Sequence, residues 1–508
     1  MKNIFTFFDG ACDTQDKKVV GNKAANLMQL KREGIPVPEG FVLPTHLTFD
    51  MPLNGFESNS DTMIRAKAVV RFAADMVDRE WGNKSKNPYL VSVRSGAAVS
   101  MPGMMDTILN VGLTRDNLDN LPGGRVFALD CYRRLIQMFA TTVFGDGIPD
   151  DAGNQFRAIY DDAKKFFIDI DETMLEVVVE NYEARYTDLV GEEFTQDVDR
   201  QLALAINAVY GSWQSERAIA YRDHAGISHD LGTAVTIQGM RFGNFNERSG
   251  TGVVFSRDPN TGENNFYGDF LLCAQGEDVV AGTHNTISMG TSEFGQITDQ
   301  PHFAKAFYEL MEHAETLDSK FGCAVDIEYT IEDGKLWVLQ CRAAKLGAKA
   351  RALQLLSQYI NDTDAAHVLA ELQDILGSQS TAASTTAKLA FTGQGVSSGV
   401  AMGFLATTAE AVAEYKARGE AYIFAAQDTS PDDTPQMLGA AGLLTANGSS
   451  TCHAAVCARA WDTPAVVGAG FIMVGNDTTT GITHDGSLVI NNGDLVTING
   501  DTGEVSVG

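Results

Sequence analysis

The stretch "SQSTAASTTAK" at 378–388 has no apolar face, so it can take no part in a packed core of its own. Such a Ser/Thr/Ala tract is expected to be a flexible linker. Before it, helical periodicity runs over 346–377; after it, 389–508 reads as a compact Gly-rich α/β unit ending in "GDLVTINGDTGEVSVG". At 508 residues the chain has room for three or four domains.

The part before 346 changes character once. Up to about 232 it alternates Gly-rich loops, short β-branched runs and long amphipathic segments. "YLVSVRSG" (89–96) reads as a strand, and 125–145, 171–186 and 197–223 read as helices with apolar residues at three and four. From about 233 strands with turn chemistry dominate, and "AVDIEYTIEDGKLWVLQCR" has the pattern of a hairpin closing over Asp333 and Gly334. The expected organisation is therefore 1–232 with a helical insert at about 113–232, then 233–345, then 346–388 as helical segment and linker, then 389–508. The fold class is α/β and α+β, multidomain.

Hydrophobic residues at 44% and aromatics at 9% are ordinary for a globular chain. Acidic residues outnumber basic ones 66 to 38, and a formal charge of −28 spread along the chain disfavours nucleic acid and anionic membrane as partners. No apolar run is long enough to span a bilayer, and "MKNIFTFFDGACDTQ" is not a signal peptide. Seven cysteines without CxxC or finger spacing suggest reduced thiols in a cytoplasmic setting, and no zinc.

Against this acidic background, the basic residues inside Gly-rich stretches are the candidate anion ligands. "GNKAANL" (21–27) is a turn entering a helix, placing Lys23 where it can lie over a phosphate or simply be solvated. "SVRSGAAVSMPGMMDT" (92–107) sets Arg94 and Ser95 at a strand end and runs through "SMPGMM" to Asp106 and Thr107. Glycine backbone approaches phosphate oxygens closely and Arg offers them a planar fork, although an ordinary βα turn has the same look. No GxxxxGK[ST] motif occurs.

On the hairpin, Asp326 and Glu328 share one face, as do Gln340 and Arg342 on the returning strand. Two carboxylates, an amide oxygen and a guanidinium suit Mg²⁺ bridging a polyphosphate; an exposed cross-strand ion pair is the plainer alternative. Finally, "GSSTCHAAVCARA" (448–460) puts His453 where a small-residue loop gives way to a helix expected to begin at Ala454. Helix-start N–H groups favour anions, and a neutral imidazole can act as a phosphate-carrying nucleophile. Alone, His453 is equally a polar residue closing a loop.

Together these stretches carry a resemblance. "GNKAANL", "VSVRSGAAVSMPGMMDTILNVGL", "DCYRRLIQMF", "GTAVTIQGMRFGN", "SGTGVVFSRDPNTGE", "AQGEDVVAG" and "DIEYTIEDGKLWVLQCR" are similar, in order, to the nucleotide-binding region of pyruvate phosphate dikinase. "TSPDDTPQM", "GLLTANG" and "TCHAAVCARAWDTPAVVG" resemble the phosphohistidine domain that the dikinase shares with phosphoenolpyruvate synthase. The resemblance implies an ATP-grasp nucleotide-binding region over 1–345, with 233–345 its C-terminal subdomain, followed by a swivelling phosphohistidine α/β domain at 389–508.

The implied chemistry is transfer of the β-phosphoryl group of ATP to His453 with release of AMP. The γ-phosphoryl passes to inorganic phosphate in the dikinase and to water in the synthase, and "SMPGMMDT" resembles the dikinase. By the same resemblance Lys23, Arg94 and Arg342 would hold and polarise the phosphates, and Asp326, Glu328 and Gln340 would bind Mg²⁺. Gly103, Met104 and the residues through Thr107 would cover the triphosphate, Gln238 and Met240 would contact adenine, and Glu277 would approach the nucleoside. Thr451 matches a threonine that a regulatory kinase modifies in some dikinases.

Departures from the family pattern are Asn22, Ser449, Ser450 and Ala426, the last where an arginine is usual. Family members continue into a barrel that binds pyruvate or phosphoenolpyruvate, whereas this sequence stops after the histidine domain. The expectation is a monomeric, ATP-using donor whose acceptor is a protein or a separate phosphoenolpyruvate/pyruvate-binding subunit in trans. The competing expectation is a non-catalytic nucleotide-binding regulator.

Overall fold

A computed structural model of the chain describes residues 4–8, 15–52, 55–57, 59–99, 101, 105–145, 147–149, 151–167, 170–280, 286–359, 372, 388–476, 478–484 and 489–508. They fall into two compact units, Met1–Arg241 and Phe242–Gly508.

The first unit is built on a five-stranded sheet in the order Phe5–Thr6, Gly40–Leu43, Thr233–Gly239, Val91–Ala97, Thr107–Val111. Every neighbouring pair is antiparallel. The strand Thr233–Gly239, expected from the sequence to open the next segment, instead lies at the middle of this sheet with all seven residues buried. Its pairing on both edges binds it here, so the division follows Arg241 and not residue 232.

Helices occupy much of 125–225 in this unit, and two of them differ in detail from the expected segments. The segment 125–145 is an α-helix over Arg125–Met138 that widens into a π turn at Phe139–Val143. The segment 197–223 is broken at Ser212–Gln214, and the Ser215 hydroxyl accepts from the Ala218 N–H to restart a helix at Glu216–Ala225. Phe194 joins these helices through edge-on contacts with Tyr132, Phe139 and Tyr186 at ring-centroid distances of 5.6, 5.3 and 5.3 Å.

In the second unit a five-stranded antiparallel sheet runs Lys335–Ala343, Val325–Glu332, Gly250–Phe255, Tyr267–Leu272, Ile287–Ser288. The helix Pro301–Phe321 covers it, with Phe303 and Phe307 packed edge-on against Phe270. Residues from 388 onward form an eight-stranded sheet whose centre, Val400–Ala406, Tyr422–Ala426, Gly442–Thr445 and Ala465–Val467, is parallel. A small three-stranded antiparallel sheet accompanies it. This α/β layer carries the helix His453–Trp461.

Of the segment 346–388, the structure describes a helix at Ala348–Tyr359 and residue 372, and Lys388 already opens a strand. The Ser/Thr/Ala tract at 378–387 lies outside the described residues. No helix among the described residues is long and apolar enough to cross a membrane.

Candidate active site

The hairpin forms as its pattern requires. Asp333 and Gly334 both have positive φ, 50° and 78°, the conformation a two-residue type I′ turn demands. A bulge between Val338 and Gln340 then sets Gln340 opposite Glu328 and Arg342 opposite Asp326. Gln340 Nε2 donates to Glu328 Oε1 at 2.8 Å, and Arg342 Nε donates to both Asp326 oxygens at 2.9 and 2.8 Å. Burial pushes the Asp326 carboxyl upward from its ordinary value while Arg342 opposes that shift, and Arg342 is held above its own.

Among the described residues no three His, Cys, Asp or Glu side chains come together as a metal site. The hairpin does offer what Mg²⁺ takes in a nucleotide site: two carboxylates and an amide oxygen, with remaining positions for phosphate oxygens and water. The donor set fits. Asp326 must be shared with Arg342, however, so the bare protein is a poor Mg²⁺ site.

His453 is the first residue of its helix, one earlier than expected, with Cys452 as N-cap at φ −66°, ψ 165°. The imidazole is 5% exposed. Its Nδ1 lies 3.3 Å from Thr429 Oγ1, and its Nε2 lies 3.4 Å from the Cys457 Sγ one turn along. Burial pushes the Cys457 thiol up to about 12, despite the opposing fields of Arg342 and Arg459. The same helix brings Arg459 within electrostatic reach of Asp326. The histidine helix thus faces the Asp326–Arg342 hairpin.

The loop before His453 is tightly held. Arg459, 3% exposed, donates to the Ser450 carbonyl at 2.7 Å and the Val396 carbonyl at 3.1 Å. Ser450 Oγ and Thr451 Oγ1 donate to Asp269 Oδ2 at 2.7 and 3.0 Å. Ala426 ends its strand Tyr422–Ala426 and brings only a methyl group there.

The remaining expected site residues divide between the units. In the first, Gly21 has φ +75°, and a Cβ there would stand 1.9 Å from the Gly96 carbonyl oxygen. That close passage sets Lys23 beside the strand end carrying Arg94, which pairs across the sheet with Thr107 and Thr236. Asp106 is ion-paired with Arg217 of the helical insert. Gly103 and Met104 lie outside the described residues.

Gln238, 1% exposed, has its Nε2 buried without a hydrogen-bond partner among the described residues. Behind it, Glu39 accepts from Tyr89 OH at 2.9 Å and pairs with Arg241 at 2.7 Å, while Met240 N–H donates to Leu90 O at 2.9 Å. Glu277 lies in the second unit, in the short helix Gly276–Val280, as do Asp326, Glu328, Gln340, Arg342, Thr451 and His453.

Four residues of this site escaped the sequence reading: Asp269, Thr429, Cys457 and Arg459. An acid in the middle of "YGDFLL" and an arginine inside an apolar helix were available signals for two of them. Thr429 and Cys457 matter only through their distance to His453, which no local pattern encodes.

Residues 61–294 match the family described as "Pyruvate phosphate dikinase, AMP/ATP-binding domain", and 419–503 match "PEP-utilising enzyme, mobile domain". The whole chain aligns with "Pyruvate, phosphate dikinase, chloroplastic" of Flaveria trinervia at 39% identity over 522 residues, covering 53% of that protein. It aligns with "Pyruvate, phosphate dikinase 1, chloroplastic" of Arabidopsis thaliana at 36% identity over 520 residues, covering 53%. With "Pyruvate, phosphate dikinase 2" of Zea mays the figures are 36% over 520 residues and 58%. The chain therefore spans about half the length of these curated relatives. Two family models matched in order over 61–294 and 419–503, with relatives at 36–39% identity aligned along the chain, show that the chain belongs to the pyruvate phosphate dikinase and phosphoenolpyruvate synthase family.

Proposed function

We propose that the chain is an ATP-dependent phosphotransferase in which His453 takes the β-phosphoryl group of ATP. The observation that best supports this is the histidine helix facing the hairpin of Asp326 and Arg342, with Cys457 and Arg459 in the field of those two residues. A lone pair on the imidazole attacks the β-phosphorus, an N–P bond forms, and the bond to the α-bridging oxygen breaks, releasing AMP. The γ-phosphoryl passes to inorganic phosphate, giving pyrophosphate, in keeping with the dikinase-like "SMPGMMDT".

Lys23, Arg94 and Arg342 hold the phosphates, with Gly103, Met104 and Thr107 in the covering loop. Gln238 and Met240 receive adenine, and Glu277 lies toward the nucleoside. Asp326, Glu328 and Gln340 hold Mg²⁺, which when bound neutralises polyphosphate charge. The phosphoryl group then goes to an acceptor in trans: pyruvate on a separate barrel subunit, another small molecule, or a protein. Thr451, two residues from the phosphocarrier, is the regulatory position.

The test is incubation with Mg²⁺ and ATP labelled at the β-phosphate, with and without inorganic phosphate, beside His453→Ala. Acid-labile label on the wild type alone, with AMP released and phosphate required, is expected. Nucleotide binding without label on the wild type would sink the proposal and leave a nucleotide-binding regulator.

A further inference from the structure

We infer that Asp269 is a positioning residue that seats the His453 loop on the nucleotide-binding side, an inference that rests on the phosphotransferase reading above. Asp269 sits mid-strand in Tyr267–Leu272 and is 0% exposed. Among the described residues no cation pairs with it; its partners are four hydroxyl groups. Thr286 Oγ1 and Ser288 Oγ donate to Oδ1 at 3.1 and 3.0 Å, from its own side of the unit. Ser450 Oγ and Thr451 Oγ1 donate to Oδ2, from the loop that leads into His453.

A carboxylate removed from water must have its oxygens satisfied, and here half of that solvation is supplied by the phosphocarrier loop. The seat is therefore self-consistent only with the loop in this register. Tyr267, two residues earlier on the same face, extends it by accepting from Gln394 Nε2 at 3.0 Å. Arg459 holds the Ser450 carbonyl, so that one residue is fixed at both side chain and backbone.

The same chemistry suits a contact that must be broken in each cycle. A carboxylate bonded to neutral hydroxyls can exchange each for a water molecule. A buried partner cation would instead leave two charges to be solvated at once. The seat is specific and releasable, as a phosphohistidine that travels to a distant acceptor requires.

Asp269→Ala, Asp269→Asn and Ser450→Ala should be compared with wild type in three measurements. These are single-turnover labelling of His453 from β-labelled ATP, equilibrium binding of Mg²⁺–ATP, and hydrogen exchange of peptides spanning 442–461 and 325–343. Loss of a positioning contact should slow labelling about tenfold in Asp269→Ala, and less in Asp269→Asn, with nucleotide affinity changed less than about twofold. Exchange should rise in 442–461 and stay unchanged in 325–343.

Wild-type rates of labelling and exchange in Asp269→Ala would overturn the inference. Failure of the wild type to take label would count against the phosphotransferase reading, while the exchange comparison still decides whether Asp269 holds the loop. Should Asp269→Ala misfold, seen as lost nucleotide binding, Ser450→Ala removes one donor from the loop side and decides the matter by the same exchange and labelling readouts.

Discussion

Arg342 lies directly across the hairpin from Asp326 and donates one N–H to both of its carboxylate oxygens, at 2.9 and 2.8 Å. Arg342 opposes the upward shift that burial gives the Asp326 carboxyl, and it competes with Mg²⁺ for the same oxygens. A nucleotide changes that balance by offering the guanidinium phosphate oxygens instead.

Divalent-ion binding should therefore be cooperative with nucleotide. Mn²⁺ titrations followed by electron paramagnetic resonance should show weak binding to the protein alone and at least about tenfold tighter binding with ATP present. Equal affinities with and without ATP would contradict the competition. Arg342→Ala should destabilise the fold by about 3 kcal/mol by stranding Asp326, measured by denaturant unfolding.

Cys457 should make stability fall in alkaline solution. Its folded value of about 12 lies above the ordinary value of 9.0, so the folded state holds its proton more tightly than the unfolded chain does. Stability from this group is complete below about pH 9 and declines as pH rises toward 12. Cys457→Val should flatten that decline in pH-dependent denaturation. By the same reasoning Cys457, 1% exposed, should resist alkylation at pH 8 while the exposed Cys273 reacts, which peptide mapping would show.

A charge at Thr451 should expel the loop from its seat. Thr451 Oγ1 is 3.0 Å from Asp269 Oδ2, so a carboxylate or phosphate there meets a buried carboxylate at contact distance. Thr451→Glu should slow His453 labelling by more than about tenfold, and adding Asp269→Asn should restore part of it. Thr451→Ser, which keeps the hydroxyl, should label nearly as fast as wild type; an equal loss in both variants would refute the charge explanation.

Gly21→Ala should be severe although the site is small. The new Cβ would meet Gly96 O at 1.9 Å on a backbone with φ +75°, so the turn before Lys23 must move. Loss of about 2 kcal/mol or more is expected, with nucleotide affinity reduced as well. Thermal unfolding and ATP binding read the two effects separately.

What local pattern carries in this chain is considerable. The Asp333–Gly334 turn, the same-face pairs Asp326/Glu328 and Gln340/Arg342, and the start of a helix within one residue of His453 follow from turn chemistry and periodicities of two and 3.6. That Thr233–Gly239 pairs within the first sheet is not legible in its sequence, because a run of apolar residues reads as a strand without naming the sheet that will pair with it. The break at Ser212–Gln214 is not legible in the sequence, because apolar residues recur at helical spacing on both sides of it.

By itself the sequence singled out candidate residues such as Arg94, Asp326, Arg342 and His453, because charge, turn type and side-chain periodicity are local properties. Tertiary structure alone decided what those residues meet. Asp269 reaches Ser450 and Thr451 across roughly 180 positions of chain, and Arg459 reaches the field of Asp326 from another fold layer. Such contacts depend on how sheets and helices pack, and packing responds to shape summed over many residues, which no short stretch contains.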